Sequence, residues 1–392
     1  MRALARYEVT DVNLAQLGWD PDIEARYRTL PGVDARGAHI LPARVARQDR
    51  DSYVVYTAVA PDTRPAHPVQ GRPCRALRAS LRGALRHEGP AHERPAVGDW
   101  VAVLTTPGHA GGRIEAVVPR RSCIVRKAAG DPVQAQVLAA NVDTLAICCG
   151  LDGDFNLRRI ERYLTLAYAS GAAPVVVLTK ADLCDADEES PETRVAQVEA
   201  IAIGVPVIAV SMHDPQRLRD QVAPLAPAGR TVALVGSSGV GKSTVINLLL
   251  GREAMRTGPV RLHDSRGRHT TTHRQLLLTP TGGVLIDSPG MRELQLWGDD
   301  GEVDQSFADV AGLAGGCRFR DCTHDQEPGC AVKRAVEDGA LPAERLAAYH
   351  KQRRELAFME RKTDARARAE ETARWKAIHK AAREWYRRKR GI

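Results

Sequence analysis

Residues 231–243 read Thr231-Val232-Ala233-Leu234-Val235-Gly236-Ser237-Ser238-Gly239-Val240-Gly241-Lys242-Ser243. The first five are mostly β-branched or aliphatic, as in a buried strand. From Gly236 the stretch fits G-x-x-x-x-G-K-[ST], and an apolar run, Val245–Leu250, carries a helix beyond it. Strand, loop and helix in that order is the context a phosphate loop needs, whereas a plain glycine turn needs neither flank. The glycines let backbone N–H groups turn inward toward phosphate oxygens. The helix N-terminus adds partial positive charge. Lys242 is expected to reach the β- and γ-phosphates and Ser243 to bind Mg²⁺. Ser237, Ser238, Gly239, Val240, Gly241 and Thr244 complete the expected cradle.

Two flanking stretches extend this reading. Downstream, Gly283–Ile286 reads as a second buried strand and runs into Asp287-Ser288-Pro289-Gly290. An acid at a strand end near the phosphates suits the Mg²⁺ shell, and the Gly290 N–H suits the γ-phosphate. Upstream, Pro174–Leu178 runs into Thr179-Lys180-Ala181-Asp182. A carboxylate at that strand end can accept from guanine N1–H and its exocyclic amine. Adenine lacks that donor pair, so Asp182 is expected to select GTP over ATP. The stem of Lys180 can lie along the base. Ser211, after the strand Val205–Val210, can close the pocket.

The order of these pieces is informative. GTPases normally present the phosphate loop first and the base-selecting segment later. Here Thr179–Asp182 and Ser211 precede Gly236–Ser243, the run Thr270-Thr271-Thr272 and Asp287–Gly290. Permutation need not harm the chemistry, because the same loops can still meet at the carboxyl edge of one sheet. With GSSGVGKS, GRHTTT (Gly267–Thr272), DSPG and a cysteine-rich segment downstream, the chain resembles the ribosome small-subunit-dependent GTPase A family (RsgA/YjeQ) over roughly residues 44–340. The resemblance implies an α/β fold: a circularly permuted P-loop GTPase domain, flanked by an N-terminal OB-fold β-barrel and a C-terminal zinc-binding helical module. It implies a GTP hydrolase that acts late in maturation of the small ribosomal subunit, binds rRNA and is stimulated by the subunit. The rival reading is an RNA-binding assembly chaperone for which GTP is a structural or regulatory ligand.

Some positions depart from the family pattern. Thr179 stands where Asn is usual, so one amide contact to the base or phosphate loop is expected to be lost. Met212 follows Ser211 where a small Ala is common. Met291 occupies the position at which Ras-type enzymes place a water-orienting Gln, and it cannot hydrogen-bond water usefully. Slow intrinsic hydrolysis follows. His269 is the candidate for positioning water, and Thr271 for completing the Mg²⁺ shell.

Cys317-x4-Cys322-x-His324-x5-Cys330 gathers three thiols and an imidazole within fourteen residues. Four protein ligands of this type suit a closed, tetrahedral, structural Zn²⁺ site, and soft sulfur disfavours Mg²⁺ or Ca²⁺. Cys74, Cys123, Cys148, Cys149 and Cys184 read as core or incidental thiols.

Short apolar pieces separated by Gly, Asp and Pro between residues 44 and 120 suggest a small barrel. Leu77, Leu81 and Leu85 recur every four residues, which argues helix, although the family resemblance favours strand there. The expected division is an N-terminal extension (1–43), loosely structured and rich in turn formers, an OB-fold RNA-binding domain (44–125), the GTPase domain (135–300), a zinc-binding domain (301–350) and a basic helical tail (351–392).

Composition sets the outer limits. The 392 residues are 43% apolar, which excludes wholesale disorder. No run of 18 apolar residues exists, and the opening MRALARYEVT lacks the apolar stretch of a secretory leader. A cytoplasmic monomer that engages no membrane is expected. The net charge of +8 is held by residues 361–392, with twelve Lys/Arg against four Asp/Glu. Residues 71–127 add eleven against four, including Arg72, Arg75, Arg78, Arg82 and Arg86. In the tail, Trp375, Trp385 and Tyr386 interleave with bases. Charge with stacking groups points to RNA.

Overall fold

Apolar runs separated by turn formers become strands in the computed structural model, which describes residues 12–31, 33, 40–49, 52–58, 73–83, 94–106, 109, 111–127, 135–184, 189–211, 213–252, 274–287 and 300–363. Described residues up to 287 form one compact unit and those from 300 onward a second.

Among the described residues the first helix is α1 (Pro21–Arg28), which Asp20 caps by accepting from the Ile23 N–H at 2.9 Å. The loose extension expected for residues 1–43 is corrected here over 12–31. Leu14, Leu17, Trp19, Ile23 and Tyr27 are all buried, and Trp19 meets Trp100 edge to face at 4.9 Å. A turn-rich segment can still be ordered when each of its few large apolar side chains finds a core to enter.

Five strands follow: β1 (Ile40–Gln48), β2 (Tyr53–Ala58), β3 (Cys74–Leu81), β4 (Trp100–Thr105) and β5 (Gly111–Val117). They pair in the order β1-β2-β3-β5-β4 and close by β4 returning to β1, with only β3–β5 parallel. Closure leaves no unpaired edge, and Val45, Val55, Leu77, Ala79, Val101, Val103 and Ile114 fill the interior. The Leu77–Leu85 periodicity resolves as strand over Cys74–Leu81. A spacing of four is a multiple of the strand period as well as about one helical turn, so Leu77 and Leu81 share a face in either form.

A two-stranded ribbon, β6 (Cys123–Lys127) with β7 (Ala135–Ala140), leads out of the barrel. The α/β layer then runs β8 (Thr144–Gly150), α2 (Leu157–Ser170), β9 (Ala173–Thr179), α3 (Pro191–Ile201), β10 (Val207–Ala209), α4 (Pro215–Val222), β11 (Thr231–Val235), α5 (Lys242–Leu250), β12 (Gln275–Leu278) and β13 (Val284–Asp287). Its strand order is β10-β9-β8-β11-β13-β12, parallel except for β12. Strand β11 is therefore central, with the earlier strands on one side and the later ones on the other. Residues 145–149 of β8 and all of β11 are buried, as expected of a sheet covered on both faces.

Barrel and α/β layer share a joint at Arg44. This side chain is 1% exposed and donates to Thr231 Oγ1 at 2.8 Å, to Gly98 O at 3.2 Å, to Asn141 O at 3.3 Å and to Leu17 O. Its guanidinium lies 5.3 Å from the Trp100 ring centroid. Burial pulls its pKa down to about 10, against the opposing attraction of Asp143, so it stays charged at neutral pH.

The second unit is helical: α6 (Asp300–Ser306), α7 (Ala308–Ala314), a Cys/His loop, α8 (Ala331–Glu337) and α9 (Ala343–Thr363). Val303, Phe307, Val310, Val332, Leu341, Tyr349 and Leu356 form its core. Arg345 forks onto Asp309 at 2.9 and 3.0 Å and covers the Phe307 ring. Helix α9 runs unbroken across the boundary expected at 350/351, on good helix formers such as Ala347, Ala348, Lys351, Gln352 and Arg353.

Candidate nucleotide-binding and metal sites

Strand β11 delivers the chain into the phosphate loop through Gly236, at φ 145°. A Cβ there would sit 2.4 Å from the Cys148 carbonyl oxygen, so only glycine permits this approach to β8. Gly239 and Gly241 also have positive φ (75° and 96°). Val240 is 1% exposed and roots the loop in the core beneath it. Helix α5 starts at Lys242 with no side-chain cap, which leaves its first N–H groups to an anion. Lys242 Nζ folds onto Gly236 O at 2.8 Å and onto Ser237 O. Ser243 and Thr244 lie half-buried in the first turn, while Ser238 and Gly239 are exposed at the loop's tip.

Asp287 ends β13 at the same edge of the sheet. Its Oδ2 is buried and has no hydrogen-bond partner among the described residues. Burial lifts its pKa to about 6, against the attraction of Lys242. A buried, unpartnered carboxylate oxygen close to a phosphate loop fits a hard, oxygen-liganded divalent cation.

On the other side of β11, Thr179 is fully buried at the end of β9. Its hydroxyl donates to Val240 O at 2.5 Å. Thr179, which stands where Asn is usual, still reaches the phosphate loop, by its hydroxyl instead of an amide. Lys180 adopts the left-handed conformation (φ 58°), and its Nζ lies 2.5 Å from Asp152 Oδ2. Burial opposes ionisation of Asp152, but the Lys180 ammonium and backbone N–H groups hold its carboxyl below the usual range. Ala181 and Asp182 form a single 3₁₀ turn, anchored by the Ala181 N–H donating to Val210 O at 3.1 Å. Asp182 Oδ1 accepts from Ser211 Oγ at 2.9 Å, and Oδ2 faces His213 Nε2 at 3.2 Å.

The structure thus brings together Thr179–Asp182, Ser211, Gly236–Thr244 and Asp287 at one edge of the sheet. Gly290, Met291, Met212, His269 and Thr271 lie outside the described residues. Asp152, Asp154, Arg159 and His213 join the residues that meet at that edge, though no motif in the sequence marks them. Asp154 Oδ2 accepts from the Ser237 hydroxyl, and Asp154 Oδ1 pairs with Arg159 at 2.8 Å. The signal available was position: Asp152-Gly153-Asp154 follows directly on the carboxyl end of β8, where α/β proteins bind ligands.

In the second unit, Cys317, Cys322, His324 and Cys330 place their ligand atoms within 4.8 Å of one another, a group that could hold a metal ion. Cys317 Sγ and Cys330 Sγ are 3.9 Å apart, and they lie 3.6 and 3.5 Å from His324 Nδ1. A tetrahedral zinc with standard bond lengths sets edges of roughly 3.8 Å for S···S and roughly 3.6 Å for S···N. The loop is built for this. His324 takes φ 63°, and Cys330 caps α8 by accepting from the Lys333 N–H at 3.4 Å. The Glu327 carboxylate gathers the Thr323 hydroxyl and the N–H groups of Thr323, Asp325 and Gln326; the Thr323 hydroxyl foremost, with the N–H groups of Thr323, Glu327 and Asp325, holds its pKa at about 2.

The five other cysteines are unpaired thiols, with Cys74, Cys148 and Cys149 buried. Arg75, Arg78 and Arg82 are exposed along and just beyond β3. Arg72, Arg86, Trp375, Trp385 and Tyr386 lie outside the described residues.

A G-x-x-x-x-G-K-S loop on the central strand, an acid at the end of the next strand and a T-K-x-D segment reached earlier in the chain make the arrangement of a circularly permuted P-loop GTPase. Residues 117–297 match the family model described as RsgA GTPase. The chain is 44% identical to the small ribosomal subunit biogenesis GTPase RsgA of Opitutus terrae, over 95% of this chain and 97% of that one. It is 48% identical to the protein of the same name from Xanthomonas axonopodis pv. citri, over 88% of each. Among solved structures, YjeQ from Thermotoga maritima superposes with a TM-score of 0.56 at 26% identity, covering 81% of this chain and 98% of that one. The chain belongs to the RsgA GTPase family.

Proposed function

We propose that this protein hydrolyses GTP to GDP and phosphate during late maturation of the small ribosomal subunit, with stimulation by the subunit itself. The observation that carries the reading is the tie from Thr179 to Val240. It joins the segment ending in Asp182 to the phosphate loop, so that one nucleotide can span both. In this reading Gly236–Thr244 hold the phosphates, Thr179–Asp182 and Ser211 hold guanine, and Ser243 with Asp287 hold Mg²⁺, which would offset charge on the β- and γ-phosphates. On sequence grounds, Gly290 contacts the γ-phosphate, Thr271 completes the Mg²⁺ shell and His269 positions water.

Four-sided, sulfur-rich coordination favours Zn²⁺ at Cys317, Cys322, His324 and Cys330, one ion per chain in a structural role. The barrel, through Arg75 and Arg78, and the basic tail would grip rRNA phosphates. We place the protein in the cytoplasm as a monomer, away from membranes. Among the described residues no helix is long and apolar enough to cross one.

The test is steady-state GTP hydrolysis with and without small subunits, across a salt series and with ATP as competitor. Subunits should raise turnover by at least roughly tenfold at low salt, as completed phosphoryl-transfer sites do. The gain should fade as salt screens the RNA contacts. No stimulation at any salt would return the protein to the chaperone reading, and competition by ATP would remove the role of Asp182.

A further inference from the structure

The guanine side of the site carries a residue that the phosphate-loop chemistry does not require. Asp182 is held from two directions: Ser211 Oγ lies 2.9 Å from Oδ1 and His213 Nε2 lies 3.2 Å from Oδ2. The two contacts are linked, because the His213 backbone N–H donates to Ser211 Oγ at 3.2 Å. That bond occupies a lone pair of the Ser211 hydroxyl and leaves its proton to point at Asp182. One short segment, Ser211 to His213, therefore presents a donor to each oxygen of one carboxylate. The imidazole side chain is itself 77% exposed, whereas the Asp182 side chain is only 15% exposed. His213 thus lies over Asp182 from the solvent side and fills no core.

We infer that His213 is a positioning residue that sets the plane of the Asp182 carboxylate for a two-point contact with guanine. This rests on the reading of Asp182 as the guanine acceptor. A carboxylate offers about four lone-pair positions, so flanking donors do not by themselves exclude a bidentate base. A carboxylate free to turn about its Cβ–Cγ bond reaches N1–H and the exocyclic amine together in only part of its range. One pinned on both oxygens is held ready, and preorganisation of this kind lowers the ordering cost of binding. Nε2 can donate in the neutral tautomer or in the cation, so the device does not need a charged histidine.

The experiment measures equilibrium binding of GDP and of IDP, which keeps N1–H but lacks the amine, to the full chain. The variants are His213→Ala, His213→Gln and Asp182→Asn. Gln carries a donor close to the position of Nε2. His213→Ala should weaken GDP ~3–10-fold, the range of an ordinary net hydrogen bond, since solvent at an exposed position weakens the gain from the charged partner. IDP, which makes one contact instead of two, should weaken less, so the GDP:IDP preference falls. His213→Gln should restore both. An unchanged preference in His213→Ala, or a Gln variant no better than Ala, overturns the role of His213. Asp182→Asn tests the reading beneath it: GDP binding should collapse in favour of xanthosine diphosphate. If Asp182→Asn keeps GDP at wild-type strength, it is the guanine assignment that fails.

Discussion

At the scale of single residues, Thr179 shows how a shorter side chain can keep a contact that composition alone would give up. Its hydroxyl lies fully buried, with the Val240 carbonyl as its nearer acceptor and the Cys149 carbonyl at 3.3 Å as the farther one. Thr179→Val keeps the shape and removes the donor, leaving a buried acceptor unsatisfied at a cost of about 1–3 kcal/mol. We expect GDP affinity to fall by up to roughly 5- to 160-fold on that account, the loop having lost its strut. Calorimetric titration with GDP checks it, and an undiminished affinity would show that Val240 alone roots the loop. Phosphate-loop residues were legible from sequence because backbone geometry dictates glycine at fixed positions. Asp152 and Asp154 were signalled only by their place after β8, and His213 by nothing local, because their roles depend on pairing between loops that lie far apart in the chain.

At the scale of elements, the Cys/His loop and α8 depend on one another. Cys330 serves both as a member of the metal group and as the cap of the helix that follows it. Cys322→Ser should lose the metal, because three ligands and a hydroxyl make a poorer tetrahedral site for a soft-ligand ion. The expected result is less than a tenth of an equivalent of bound zinc, with faster amide exchange across residues 315–340. Elemental analysis with exchange mass spectrometry reads both, and a full equivalent of zinc in the variant would contradict the assignment.

The strands around the nucleotide site could be read as elements because their apolar runs are long and bounded. Residues 12–31 could not, since their burial comes from partners such as Trp100, which lies some eighty residues away in the barrel. The Leu77–Leu85 spacing was ambiguous for a geometric reason, being compatible with both repeats.

At the scale of the whole described unit, barrel and α/β layer meet around one buried cation. Arg44 comes from β1, while its acceptors come from the extension, the turn before β4, the end of the ribbon and the first residue of β11. Arg44→Met keeps length and apolar bulk but strands those acceptors. The expected loss is about 2–4 kcal/mol of stability, seen as a lower Tm in scanning calorimetry, and a Tm within a degree of wild type would refute it. Arg75, Arg78 and Arg82 stand in a basic stretch of the sequence and are exposed, whereas Arg44 could not be found this way, because nothing in an arginine's neighbours along the chain says that it will be buried.

That arrangement limits how the protein can be recombined. A chimera that kept the nucleotide-binding half and borrowed a foreign barrel would have to import an arginine at the same spot. Otherwise it would leave the root of the phosphate-loop strand facing a hole lined with oxygens. Modules that share a keystone are inherited together, so this one should resist shuffling even where its surface sequence drifts freely.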